Sequence, residues 1–256
     1  HLSIRRQRQM CIRDSHKTDG KNGLHENGNG HKTHGQLLKK ILFGLLGGPG
    51  SGKDTLVENL TKLAPQENVT LTVFGVGSVV RKQIALQTPD GILFKKFSDE
   101  GGLIPHAMVK PHIGPGLIEA GQSGDVILAN GFPRMPEQIE DFEKISDEQG
   151  WKRRLIHLFI DPAIAEEVLT DRAMKRREKA IAAGEEPRAD DQKHIVIRRY
   201  REGEEASKPI VDHFGAIGEV TKIDALQMPD EVCADTMAEL HALIRNGSVA
   251  LQAQLS

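Results

Sequence analysis

Cysteine is nearly absent. The chain has two, Cys11 and Cys233. They are too few and too far apart for a metal-ligand spacing or a disulfide framework, as expected of a protein from a reducing cytoplasm. Aromatic residues make up 4%, with one Trp and one Tyr, which argues against a stacking platform for nucleic acid. No apolar run approaches the roughly 20 residues that span a bilayer. A formal net charge of −2 gives no global pull toward polyanions or membranes. The remaining composition suits a globular protein, with 38% hydrophobic and 27% charged residues among 256. That is enough for one α/β domain with a substantial core.

Residues 1–36 differ from the rest of the chain. They lack apolar periodicity, are rich in Gly, Asn, His and Lys/Arg, and read as a disordered tail. No apolar segment of a secretory signal is present there. Five of the 11 histidines, His1, His16, His25, His31 and His34, fall in this tail. A metal-binding tract would use such residues, but a solvated tail is the plainer reading. The chain starts without Met, and "QMCIRDS" resembles adapter read-through in assembled environmental sequences. A non-native origin for this end stays open, and the folded domain is expected over 37–256.

From residue 39 a regular pattern begins. "KKILFGLLGG" reads as a buried strand, and "DTLVENLTKLA" as a helix with Leu56, Val57, Leu60 and Leu63 on one face. "VTLTVFGVG" reads as a second strand, and "SVVRKQIALQ" as a helix capped by Ser78. Residues 89–121 look like short helices broken by Gly and Pro. "DVILANG", "RLIHLFID" and "GEVTKIDA" read as further strands, with helices over 135–150, from Pro162 through "AEEVLTDRAMKRR", over 191–213 and over 229–246. Strands alternating with helices predict a five-stranded parallel sheet covered on both faces. Ligands on such a sheet bind outside the carboxyl ends of its strands.

One of those ends carries "GGPGSGKDT". The pattern G-x-x-x-x-G-K-[ST] fits from Gly47 to Lys53 and then breaks, because Asp54 stands where a hydroxyl is expected and Thr55 comes one residue late. A glycine turn between strand and helix aims backbone N–H groups and the helix dipole at an anion, and a lysine adds a point charge near the β/γ-phosphates. Spacing, lysine and flanking elements agree on a phosphate loop rather than an ordinary turn. A dinucleotide loop is disfavoured, since "GVGSVV" has Val80 where a third glycine would fall.

The loop resembles that of adenylate kinases and related nucleoside monophosphate kinases, G-x-P-G-x-G-K-G-T. On that register Thr55 is the expected hydroxyl and Asp54 the one departure. "NGFPRMPEQ" is similar to the family's D-G-F-P-R-x-x-x-Q, "GVGSVVR" to its phosphate-binding segment, and "EGGLIP" to the piece whose backbone faces the acceptor base. "DRAMKR" and "RADDQKHIVIRR" are similar to the arginine pairs flanking its lid. The resemblance spans about 40–245 in the family's order. It implies a P-loop kinase fold with a small monophosphate-binding insertion near 76–121 and a short lid near 177–189. It implies phosphoryl transfer from ATP to a nucleoside monophosphate, AMP first, with Mg²⁺. The implied donor site is Gly48, Pro49, Gly50, Ser51, Gly52, Lys53, Asp54 and Thr55, with Arg172 on the adenine. The implied acceptor site is Gly77, Arg81, Gly102, Leu103, Ile104, Gly131, Arg134 and Gln138, the last reading the base. Lys53, Arg134, Arg176, Arg188 and Arg199 would serve catalysis.

Physical chemistry points the same way. Phosphoryl transfer needs two mutually repelling anions held in line, neutralised and shielded from water. Arginines, planar and bidentate, suit that task. Only "EKAIAAGEEP" separates Arg177 from Arg188. It contains no Cys, so a zinc-stapled lid is excluded, and its composition suits a mobile flap. His157 sits within an apolar strand and reads as packing; neither it nor His194 is assigned a role.

Three positions depart from the pattern. Asn130 replaces the family's acid before GFPR, Val76 stands where a base-contacting threonine is common, and Asp54 adds a carboxylate beside the lysine. At its plainest Asp54 complements the helix dipole, worth about 0.3–1 kcal/mol. In a functional reading it helps balance the charge missing at residue 130. Metal would be held mainly by phosphates and water, with Thr55, Asp54 and Asn130 nearby. A kinase for UMP, CMP or dAMP, and a nucleotide-binding paralogue with little turnover, stay open. The expected partners are ATP and a monophosphate, with neither nucleic acid nor membrane, on a cytoplasmic monomer.

Overall fold

The computed structural model describes residues 40–99, 102, 104–187 and 191–255, and of 246–255 the backbone only. Leu103 and Arg188 lie outside the described residues, as does the tail. Among the described residues the strands are β1 (Ile41–Leu46), β2 (Leu71–Gly75), β3 (Val126–Asn130), β4 (Lys152–Phe159) and β5 (Val220–Asp224). The helices are α1 (Lys53–Leu63), α2 (Val76–Ala85), α3 (Pro89–Asp99), α4 (His106–Ser123), α5 (Ile139–Glu148), α6 (Pro162–Ala182), α7 (Lys193–Ala216) and α8 (Pro229–Leu255).

All five strands are parallel, in the order β2-β3-β1-β4-β5. β1 is central, and every one of its residues is buried. Its side chains alternate between two apolar layers. Ile41, Phe43 and Leu45 join Leu56, Leu60, Leu169, Tyr200 and Met237 on one face. Leu42 and Leu46 join Phe94, Ile113, Phe142 and Phe214 on the other. α7 serves both layers, Val196 and Tyr200 in the first, Ile210 and Phe214 in the second.

Register decides what the carboxyl edge presents. Leu45 pairs with Asn130, and Asn130 pairs with Gly75. The residue that leads into the glycine loop, the residue before GFPR and the residue before α2 therefore end level with one another.

Two local readings change. β2 stops at Gly75, and α2 starts at Val76 with no side-chain cap. Ser78 thus lies in the first turn rather than at the cap, and its Oγ accepts from Arg81 Nη2 at 3.2 Å. Residues 89–121, expected as short helices broken by Gly and Pro, do split into α3 and α4 around Gly102 and Pro105, but α4 runs on for 18 residues with Pro111 and Pro115 inside it. An interior proline costs roughly 3 kcal/mol. Val109, Ile113 and Leu117, spaced by four and buried against the second layer, contribute about 1.5–3 kcal/mol each, which offsets that cost.

Candidate active site

The loop between β1 and α1 takes a shape only glycine accepts easily. Gly50 and Gly52 have φ of 79° and 95°, the left-handed region where a Cβ is strained. Ser51 is buried, and its N–H donates to Gly48 O at 3.2 Å. Lys53, the first residue of α1, folds back across the loop. Its Nζ donates to Gly47 O at 2.6 Å, Gly48 O at 2.8 Å and Ser51 Oγ at 3.3 Å.

The neighbours of that ammonium define the site. Lys53 keeps some solvent contact, yet protein atoms crowd its head. Burial first, then the positive charges of Arg134 and Arg199, push its pKa down to about 7 against the opposing pull of Asp54. Arg134 is likewise held down to about 10 by burial and by Arg199. Three cations from three different segments thus converge where the strands end. Like charges so placed repel one another, and a polyanion between them is stabilised.

Arg134 is aimed by the turn that carries it. Gly131 N–H donates to Leu45 O at 3.2 Å, and the Phe132–Pro133 peptide is cis. Behind it, β1 has Gly44, where a Cβ would come within 2.9 Å of Pro133 Cδ and 3.0 Å of Leu155 Cδ1. Gln138 is buried, and its Oε1 accepts from Arg134 N–H at 2.6 Å. Asn130 Nδ2, at the end of β3, donates to Asp54 Oδ1 at 3.2 Å. Two of the three departures from the family pattern are in contact.

On the other side of the loop, Arg172 of α6 donates from Nη1 to Gly50 O at 3.2 Å and from Nη2 to Ala225 O at 2.9 Å. Arg176, one turn further, is held in a bidentate pair by Asp191: Nε donates to Oδ2 at 2.9 Å and Nη2 to Oδ1. Asp191 is 1% exposed and Arg176 38%, so the acid anchors the base from below. Arg81 is exposed on α2. Gly102 N–H donates to Phe97 O at 3.0 Å, and Ile104 packs on the second core layer. Pro49 and Thr55 flank the loop, Thr55 exposed. Gly48 passes Tyr200 so closely that a Cβ would lie 3.3 Å from Cδ2.

Sequence reasoning missed Asp191, Tyr200 and Gly44 as parts of this region. Asp191 alone carried a signal, as the second Asp of "ADD" before a helix rich in arginine. His157, expected to pack, is buried in β4 edge-on to Phe159, with ring centroids 6.0 Å apart. Burial, then Lys222 and Lys53, lowers its pKa to about 4.

A phosphate loop and convergent cations at the carboxyl edge of a parallel sheet define a P-loop phosphotransferase. The family model for adenylate kinase matches residues 45–219. The adenylate kinase of Methylorubrum populi is 30% identical over 191 residues, covering 75% of this chain and 91% of that protein. The adenylate kinase of Deinococcus radiodurans is 29% identical over 203 residues, 79% of this chain and 97% of that protein. UMP-CMP kinase 3 of Oryza sativa subsp. japonica is 27% identical over 194 residues, 76% and 82%. The chain belongs to the adenylate kinase family of nucleoside monophosphate kinases, enzymes that move a phosphoryl group from ATP to a nucleoside monophosphate.

Proposed function

We propose that the acceptor is AMP, so that ATP + AMP gives two ADP, with Mg²⁺ accompanying the nucleotide. The observation that carries the reading is the convergence of Lys53, Arg134 and Arg199, mutually repelling cations that a transferring phosphoryl group between two nucleotides would neutralise. The loop's N–H groups and Lys53 hold the donor phosphates. Arg134 faces the acceptor phosphate from the GFPR turn, with Arg81 approaching from the 76–121 insertion. Arg172 borders the donor base, and Arg176, Arg188 and Arg199 neutralise transferred charge. Bound phosphate replaces the loop carbonyls as the partner of Lys53 and raises its pKa, so the ammonium is fully charged when it acts.

We assign residues 177–189 as a short lid. α6 runs on to Ala182, and Gly184 takes φ 73°, a backbone suited to a turn that closes over ATP and excludes water. To the acceptor nucleoside we assign Gly77, Gly102, Leu103, Ile104 and Gly131 as contacts, and to Gln138 the reading of its base.

The test is ADP formation from ATP against AMP, dAMP, UMP and CMP, with and without Mg²⁺. AMP is expected to give the highest kcat/KM. Val76 at the start of α2 and the likeness to a UMP-CMP kinase support a pyrimidine acceptor as the second reading, which a preference for UMP or CMP would establish. Nucleotide binding without ADP from any monophosphate would overturn both.

A further inference from the structure

Asp54 occupies a place that bound phosphate would also claim. It comes directly after Lys53 in the first turn of α1, where the helix dipole and the loop's N–H groups attract phosphate. A carboxylate there repels that same phosphate unless a cation stands between them. Magnesium is the cation that fits: it keeps several waters and is commonly held by one or two carboxylates together with substrate phosphates. Asn130, at the end of β3, carries no charge. It donates through Nδ2 to Asp54 Oδ1 at 3.2 Å, and so orients the carboxylate while keeping its own Oδ1 as an acceptor for water.

Resting on the phosphotransferase reading above, we infer that Asp54 is the carboxylate that positions the hydrated divalent cation of the donor nucleotide, oriented from the end of β3 by Asn130. The negative charge is supplied from the helix after the glycine loop, and the end of β3 supplies only an amide. Among the described residues no three His, Cys, Asp or Glu side chains gather to hold a metal by themselves, which fits a single carboxylate acting with phosphate oxygens and water. Asp54 also opposes the electrostatic effect of Arg134 and Arg199 on Lys53. The same side chain therefore offsets the local excess of positive charge before nucleotide arrives.

The test is calorimetric binding of a non-hydrolysable ATP analogue in Mg²⁺ and in EDTA, on the full chain. In the parent protein Mg²⁺ should tighten binding. Asp54→Gly should lose that tightening by about tenfold to a hundredfold, the range found for outer-shell metal partners, while binding in EDTA stays equal or improves. Asp54→Asn, near-isosteric, should behave the same if the glycine variant folds poorly. Asp54→Gly with Asn130→Asp should restore the Mg²⁺ effect from the end of β3. Unchanged Mg²⁺ tightening in both single variants, or none in the parent protein, overturns the inference. Parent turnover of ATP and AMP to ADP alongside that result leaves the phosphotransferase reading standing, whereas no ADP from any monophosphate removes both.

Discussion

The backbone N–H of Arg134 donates to Gln138 Oε1 at 2.6 Å. The amide that family resemblance assigns to the acceptor base thus commits its oxygen to the turn that aims a key arginine. Gln138→Ala leaves that N–H without its partner and should cost about 1–3 kcal/mol in urea denaturation, with a raised KM for the monophosphate. Gln138→Glu keeps an acceptor at the same place and should recover most of the stability.

Lys53 titrates near pH 7 in the nucleotide-free protein, against about 10.4 for an unperturbed lysine. The folded state therefore binds fewer protons than the unfolded chain between those values, and this group's contribution to stability is lost as pH falls from the upper value to the lower. Competitive acetylation with mass-spectrometric readout should show Lys53 becoming reactive near pH 7, and ATP should move that titration to higher pH.

His157 provides a second titration. Its pKa is about 4 in the fold against about 6.5 in a free chain. Stability from keeping it neutral is present above pH 6.5 and is lost as pH falls toward 4. Its Nδ1 is buried with no hydrogen-bond partner among the described residues. His157→Leu should flatten the acid side of the stability profile in that window and leave midpoints at pH 8 unchanged or higher.

Gly44 lets the cis turn pack against β1. Gly44→Ala places a methyl against Pro133 and Leu155, an overpacking worth roughly 1–3 kcal/mol. A lowered thermal midpoint should come with a drop in kcat/KM for the monophosphate, because the displaced turn carries Arg134.

Asp191 holds Arg176 from a buried position. Breaking a fully buried pair costs about 3–5 kcal/mol. With Arg176 partly exposed, Asp191→Asn should cost less, about 1–3 kcal/mol. Arg176→Gln should cost at least as much stability, because it leaves the acid buried without its partner, and should reduce kcat further.

The glycine loop and its lysine were legible because their chemistry is local. Left-handed glycines, a strand before and a helix after are properties of adjacent residues, and the same holds for the alternation that announces a parallel sheet. Candidate arginines could be picked out one by one, since each stands beside a recognisable neighbour such as GFPR or the paired aspartates. Where α4 runs through Pro111 and Pro115, propensity argued for a break, and packing of Val109, Ile113 and Leu117 overrode it.

Sequence by itself thus determined the fold class, the glycine turn between β1 and α1 and the family, because periodicity and short motifs encode them over a few turns of chain. Tertiary structure decided which residues meet. Register brings Asn130 level with the start of the glycine loop. Burial and mutual repulsion at that edge depress Lys53 and Arg134, and β1 needs a glycine at residue 44 because a turn distant in sequence lies against it. The contact between Asp54 and Asn130, separated by 76 residues, exists only because parallel strands end together, and no local pattern specifies such a pairing.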